Sequence, residues 1–436
     1  MGIKQNYNSP RWTNEIVDCA MPMTFDTYST CSFNCLYCFS FYQKSHSMNN
    51  YAGGKLVRSV NPEKVKELFE KSLCRKEEEL SKTHQQFAPY IRDSMTMQGG
   101  GLADQFDMFE KGHGISLDLM KFFDQIDYPL SYSTKAVWWT KEDEYMDLVK
   151  KHAHNWHYKI SIITLDGQKA KGVERLVPSP QERLEAIRRL SETGAHVTLR
   201  LRPYIVGMSD DYKKLIAAAK QAGADSVTTE FFCLELRADD RLKARYDEMS
   251  KVLGYDVYDF YRDKSKGSGY LRLNYKCKEP IIRKMRAVAH KLGMRFYVSD
   301  ADHKAKSDFT NCCGAPPNFN YNKGQYAEAL QIAKRRDSGK VFLSDIAPQL
   351  KRYTGDFEWA RAAAYNTVNA QKRAKYAGST MYDYIRDKWN NPGSGKSPKG
   401  EFDGILYPVG VDEDQNVIYR LNCNKYSLGC KACAAS

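Results

Sequence analysis

The sequence predicts an α/β fold, a partial or full (β/α) TIM-type barrel followed by a cysteine-bearing carboxy-terminal extension. Two observations predict it. From about residue 18 to 235, short runs rich in β-branched and aromatic residues alternate with amphipathic stretches, the rhythm of a parallel sheet wound by crossover helices. A length of 436 residues also suits one barrel-sized unit with additions. Strands are expected at 24–30, 94–97, 130–133, 157–163, 196–201 and 226–229. Helices fill the gaps: 65–72 behind Asn61-Pro62, 115–125, 141–151, 179–193 before Gly194, and 210–221 before Gly223, where glycine suits a helix stop. A helix at 279–291 and a strand at 294–299 complete the unit. The expected division is a segment 1–17, a barrel 18–300 and an extension 301–436, with helices at 325–336 and 356–376 and a flexible loop at 390–400 (NNPGSGKSPKG).

No apolar run approaches the roughly 18 to 20 residues that cross a bilayer, and the amino terminus lacks an apolar signal core, so no membrane partner and a cytoplasmic location are expected. Lys and Arg total 66 against 53 Asp and Glu, a net charge of +13. That excess suits a polyanion such as nucleic acid, and a solvated basic surface explains it equally well. Twelve cysteines without a secretion signal point to metal ligation or catalysis before a disulfide framework.

Three of them fall within eight residues. Cys31-Ser32-Phe33-Asn34-Cys35-Leu36-Tyr37-Cys38 has C-x3-C-x2-C spacing just after an expected strand. A tight loop can aim three thiolates at one [4Fe-4S] cubane and leave its fourth iron open to chelate a small molecule. A zinc knuckle, which wants a fourth ligand close by, and three unrelated core cysteines are the bland alternatives. With an aromatic residue before the last cysteine, the segment resembles the signature of the radical S-adenosylmethionine (SAM) superfamily. That resemblance implies a radical SAM type of barrel in which a reduced cluster cleaves SAM to a 5′-deoxyadenosyl radical. It also implies an external electron donor such as flavodoxin or ferredoxin.

Further segments resemble the spore photoproduct lyase-like, or DNA repair photolyase, branch. They are the run Gly101 to Glu110, Ser133-Thr134-Lys135, and Ser161 to Gly207 with its Glu182-Arg183-Leu184 helix. Gln105, Ala136 and Arg175 stand where that branch carries proline, serine and proline. The resemblance implies that SAM is contacted by Tyr37, the turn Gly99-Gly100-Gly101, Ser161, Thr164, Glu174, Arg200 and Glu230. Glycine permits close backbone approach because it has no Cβ, although a plain flexible turn is the simpler reading of three glycines. Spore photoproduct lyase itself uses a dedicated cysteine as hydrogen donor. Cys233 is a candidate by position alone, and a small buried hydrophobe is its ordinary role.

Cys313, Cys423, Cys430 and Cys433 could furnish four thiolates for an auxiliary iron-sulfur cluster, for a structural zinc ion, or simply remain free. Modification or repair of a nucleobase in DNA or RNA is the leading substrate expectation, supported by basic-aromatic stretches at 371–376 and 386–389. A peptide or protein maturase and a small-molecule mutase are the alternatives. An iron-sulfur nucleic-acid-binding protein without turnover is the reading from outside enzymology.

Overall fold

Alternation decides which residues line the sheet and which cover it. The computed structural model describes residues 4–7, 10–12, 19–40, 57–235, 240–265, 270–352, 378–426 and 433. Seven strands form its centre: β1 (Met23–Phe25), β2 (Met97–Gly99), β3 (Leu130–Thr134), β4 (Trp156–Ser161), β5 (His196–Tyr204), β6 (Ser226–Phe231) and β7 (Arg295–Val298). They lie side by side in chain order and all run parallel, with Arg11–Trp12 antiparallel along the free edge of β1. Within the sheet β7 pairs only with β6, so the described strands make an open partial barrel and not a closed one.

Period-two alternation puts Tyr132, Tyr158, Ile160, Leu199 and Val227, all nearly or fully buried, against the covering helices. Each such side chain contributes about 1.5–3 kcal/mol by leaving water. The opposite face is polar. Ser131 Oγ meets His157 Nδ1 at 2.9 Å, His157 Nε2 meets Thr198 Oγ1 at 2.6 Å, and Thr198 Oγ1 meets Ser226 Oγ at 2.6 Å. This row would be costly if left unpaired, and the chain after β7 completes it. The Gly314 carbonyl accepts from Thr198 and Ser226, 3.1 Å each. Gly314 has φ +86, and an added Cβ would stand 2.5 Å from Thr198 Cγ2, so only glycine fits there.

Most elements lie where the sequence puts them, with differences that have local causes. Asp26 ends β1 early, and residues 27–29 leave the sheet for Arg58–Val60: Val60 N–H donates to Thr27 O at 2.9 Å and Ser29 N–H to Arg58 O at 2.8 Å. The second strand starts at Met97, later than expected, because Thr96 N–H is held by Asn320 O at 2.9 Å. Helices Lys82–Arg92, Asp240–Leu253, Val257–Lys264 and Met381–Trp389 are additional, as are strands Leu406–Val411 and Val417–Leu421. The expected flexible loop at 390–400 is ordered: Ser397 is fully buried and caps Pro398–Glu401 through Gly400 N–H. The helix expected at 356–376 lies outside the described residues. Among the described residues no helix is long and apolar enough to cross a membrane.

Candidate active site

Loops at the carboxyl ends of the strands converge on one edge of the sheet, the usual position for a site in such folds. The cysteine loop follows β1. Cys35 is buried, while Cys31 and Cys38 are partly exposed. Cys38 N–H donates to Cys35 O at 3.1 Å, and Asn34 takes φ 48, the left-handed region that asparagine tolerates. Burial, then the nearby Asp104, pushes the Cys31 thiol well up, and burial pushes Cys35 up to about 12. As free thiols both hold their protons, which metal binding would release.

The loop's backbone is pinned from three sides, so its sulfurs remain its free chemistry. Ser32 N–H donates to Asp107 Oδ2 at 2.5 Å and Leu36 N–H to Val173 O at 2.9 Å. Arg245, more than two hundred residues away, donates to Asn34 Oδ1 at 2.7 Å and to the Cys35 carbonyl. The three sulfurs do not all lie within 4.8 Å of one another; the only such trio among the described residues is Asp127, His152 and His154. Three thiolates on one loop can hold three irons of a [4Fe-4S] cubane.

Behind the loop, three buried acids tie β1, β2 and β3 together. Asp26 accepts from Leu102 N–H at 2.7 Å and Ala103 N–H at 3.0 Å, which bends the chain after β2. Asp104 accepts from Thr134 Oγ1 at 2.7 Å and Lys135 N–H at 2.5 Å. Glu110 accepts from Tyr28 OH at 2.6 Å and Tyr145 OH at 2.8 Å. In the glycine turn, Gly100 has φ +79, and a Cβ there would stand 2.4 Å from Ser133 O. A Cβ on Gly99 would meet Gln105 Oε1 at 2.6 Å. Both glycines thus have a packing reason to be glycine, whatever else approaches them.

Tyr37 donates to Glu174, whose other oxygen accepts from Arg183 Nη2 at 2.7 Å, and Arg183 Nη1 donates to Ser161 O at 2.7 Å. Glu174 is therefore a bridge from the cysteine loop to β4, with both oxygens in use. Thr164 is also committed: its hydroxyl donates to Asp211 Oδ2 at 3.0 Å. Arg200 Nη1 reaches Ser161 Oγ at 3.5 Å, and Arg202 Nε donates to Glu230 Oε2 at 2.9 Å. Burial, then Arg202, pulls Arg200 down to about 10. Lys159, which the sequence reading passed over, donates to Gln98 Oε1 at 3.1 Å, an oxygen that also receives the Cys313 thiol at 3.1 Å. It lies inside the strand Trp156–Ser161, every residue of which is buried. Burial holds Lys159 down to about 8, and the Cys312 thiol, with Lys159, lowers Cys313.

The other cysteines are dispersed. Cys233 begins a short strand Cys233–Glu235 opposite Arg272, and burial, then Glu230, pushes its thiol up to about 11. Cys423 and Cys433 are joined by a disulfide with Cα atoms 5.3 Å apart, which uses both sulfurs, and Cys313 faces Gln98 on the polar side of the sheet. Cys430, the fourth cysteine of the expected auxiliary site, lies outside the described residues. Trp389 of the basic-aromatic stretch 386–389 is fully buried and donates to Val417 O at 2.6 Å, so it offers no stacking platform. The stretch 371–376 lies outside the described residues.

No family model and no curated protein matches the chain. It is similar in structure to a spore photoproduct lyase variant with bound AdoMet and dinucleoside spore photoproduct, with a TM-score of 0.45 and 15% identity over 64% of this chain and 76% of that one. A second variant of that lyase aligns with a TM-score of 0.48 and 14% identity over 68% and 81%. The lyase complexed with dinucleoside spore photoproduct aligns with a TM-score of 0.46 and 15% identity over 64% and 77%.

Proposed function

We propose that this chain is a radical SAM enzyme acting on a nucleobase in DNA or RNA. The observation that carries the chemistry is the cysteine loop: three thiols within eight residues, on a backbone pinned by Asp107 and Arg245. Cys31, Cys35 and Cys38 would hold a [4Fe-4S] group, which when reduced would supply one electron for the reductive cleavage of SAM that starts hydrogen abstraction from substrate. The chain's own residues hold and orient. Asp107 and Arg245 fix the loop, and the turn Gly99-Gly100-Gly101 with Ser161, Arg200 and Glu230 lines the strand edge where SAM would lie. The Tyr37–Glu174–Arg183 bridge closes one side against water. Cys233, whose raised pKa keeps it a thiol, is the candidate hydrogen source on that edge. The nucleic-acid part rests on the branch resemblance and the net charge of +13.

Anaerobic purification tests the first part. Bound iron and visible iron-sulfur absorption are expected, with 5′-deoxyadenosine formed from SAM and dithionite, and all three lost in C31A/C35A/C38A. Unchanged absorption in that variant refutes the proposal. Retention on DNA or RNA that weakens steeply with salt tests the second part, and no retention at low salt removes it.

A further inference from the structure

At the other end of the sheet from the cysteine loop, two turns meet at the amino-terminal ends of β3 and β4. One turn, residues 126–129, follows the helix Ile115–Gln125 and carries Asp127 in the left-handed region at φ 48. The other, residues 152–155, follows the helix Asp143–Lys151 and carries His152, His154 and Asn155. The turns are joined: Leu130 N–H donates to Asn155 O at 3.2 Å, and Asn155 Nδ2 donates to Asp127 O at 3.2 Å and to Asp127 Oδ1 at 2.8 Å. One ligand atom each from Asp127, His152 and His154 lies within 4.8 Å of the other two. None of the chemistry above uses these residues.

His152 is held in one orientation. It is buried, its ring stacks on Trp156 with centroids 4.4 Å apart and planes at 17°, and Nε2 lies 2.6 Å from Asp124 Oδ1. A carboxylate only accepts, so Nε2 carries the hydrogen, and in the neutral ring Nδ1 presents a lone pair. That lone pair faces two more acceptors, Asp127 Oδ1 at 3.3 Å and Asn155 Oδ1 at 3.2 Å. Asn155 cannot turn its amide round without losing its two bonds to Asp127. Acceptors gathered in this way call for a positive charge between them. His154 brings a second imidazole, its Nε2 3.5 Å from the same Asp127 Oδ1. Lys151 Nζ pairs with Asp124 Oδ1 at 2.6 Å and so serves the carboxylate behind the ring.

We propose that Asp127 Oδ1, His152 Nδ1 and His154 Nε2 bind one first-row divalent transition-metal ion, with zinc the best fit. Zinc takes imidazole nitrogen at about 2.0–2.1 Å and carboxylate oxygen at about 2.0–2.2 Å, and a tetrahedron of such bonds separates its ligand atoms by about 3.3–3.5 Å. The separations from Asp127 Oδ1, 3.3 and 3.5 Å, already match that spacing. Two imidazoles in the set disfavour magnesium and calcium, which take oxygen ligands. Asp124 is the carboxylate that metal-bound histidines commonly hold on their other nitrogen, where it fixes the tautomer and raises the ligand's basicity. Asp127 and His154 are exposed, so water completes the tetrahedron. The ion ties the two turns together, and at this end of such folds contacts serve stability. The site stands independently of the radical SAM reading.

The test uses the full chain purified anaerobically, with Zn2+ in titration calorimetry and thermal melting and Co2+ as a spectroscopic probe. Wild type should bind zinc and melt higher with it, because the ion favours the folded state. Cobalt should give the ligand-field spectrum of nitrogen and oxygen ligands. His154→Ala and Asp127→Asn, both at exposed positions, should weaken zinc binding by about a hundredfold or more, and Asp124→Asn by about tenfold to a hundredfold. C31A/C35A/C38A should keep this zinc, which tells it apart from zinc lodged in the cysteine loop. No zinc bound by wild type, or zinc lost with the three cysteines, overturns the site. So does a cobalt spectrum dominated by thiolate charge transfer in C31A/C35A/C38A, or equal affinity in wild type, His154→Ala and Asp127→Asn. Weak zinc binding that ignores Asp124→Asn marks an adventitious ion only and overturns it as well.

Discussion

Lys159 and Arg183 are two buried cations with opposite fortunes. Lys159 is 1% exposed and has an amide oxygen as its hydrogen-bond partner, and burial lowers its pKa from 10.5 to about 8. A base with a depressed folded pKa weakens the fold while it is charged; that cost is present below about pH 8 and is relieved as pH rises toward 10.5. Lys159→Met should therefore raise stability at pH 7 by up to roughly 3 kcal/mol, and by clearly less at pH 9.5, in urea unfolding at the two pH values. A gain independent of pH would show that charge burial is not the cause. Arg183 instead pairs with Glu174, at 0% and 1% side-chain exposure. Arg183→Met leaves Glu174 buried without its cation and should cost about 3–5 kcal/mol, read as a lower urea midpoint at pH 7. At this scale the cysteine triplet stands out in the sequence because its spacing is local. Arg245 was not, because nothing near it in sequence announces carbonyls more than two hundred residues away.

Elements were legible where the local rules act alone. The helix Pro180–Glu192 shows its Ser179/Glu182 capping box and Pro180 in the sequence, and the structure places the cap there. Ser179→Ala should cost about 1 kcal/mol, measured by thermal unfolding. Strand ends were less legible, because side chains and backbone from elsewhere end them: Asp26 captures two amides of the turn after β2, and Asn320 takes the amide of Thr96. The glycine turn shows both effects. Gly100 was singled out for close approach of a ligand, and the structure adds a Cβ position 2.4 Å from Ser133 O at φ +79. Gly100→Ala should therefore destabilise the folded chain by more than about 2 kcal/mol, even before any cofactor is added. A variant with wild-type melting and defective SAM binding would instead assign that glycine to the ligand alone.

The molecule as a whole is closed by its own later chain. The sequence suggested a boundary near residue 300, since the βα rhythm fades there. Yet the polar face of the sheet is completed by residues beyond it. Gly314 O serves Thr198 and Ser226 on β5 and β6, Asn320 O serves Thr96 beside β2, and Asn322 N–H donates to Ala20 O near β1 at 2.9 Å. Periodicity could not reveal this, because residues 311–322 have no regular secondary structure and act through single backbone groups. Ala315, Phe319 and Tyr321 also pack with Ala20 and Met21 as a second small core. Removing this segment would expose that core and take from Thr198 and Ser226 the Gly314 carbonyl that accepts from both, each lost hydrogen bond contributing on the order of 0.5–1.5 kcal/mol. A chain ending at residue 300 should therefore lack a cooperative thermal transition by circular dichroism, whereas one ending at residue 352, which keeps the closing segment and the helix Tyr326–Arg335, should retain it. Cooperative melting of the shorter chain would make the sheet self-sufficient and the closing segment an ornament on it.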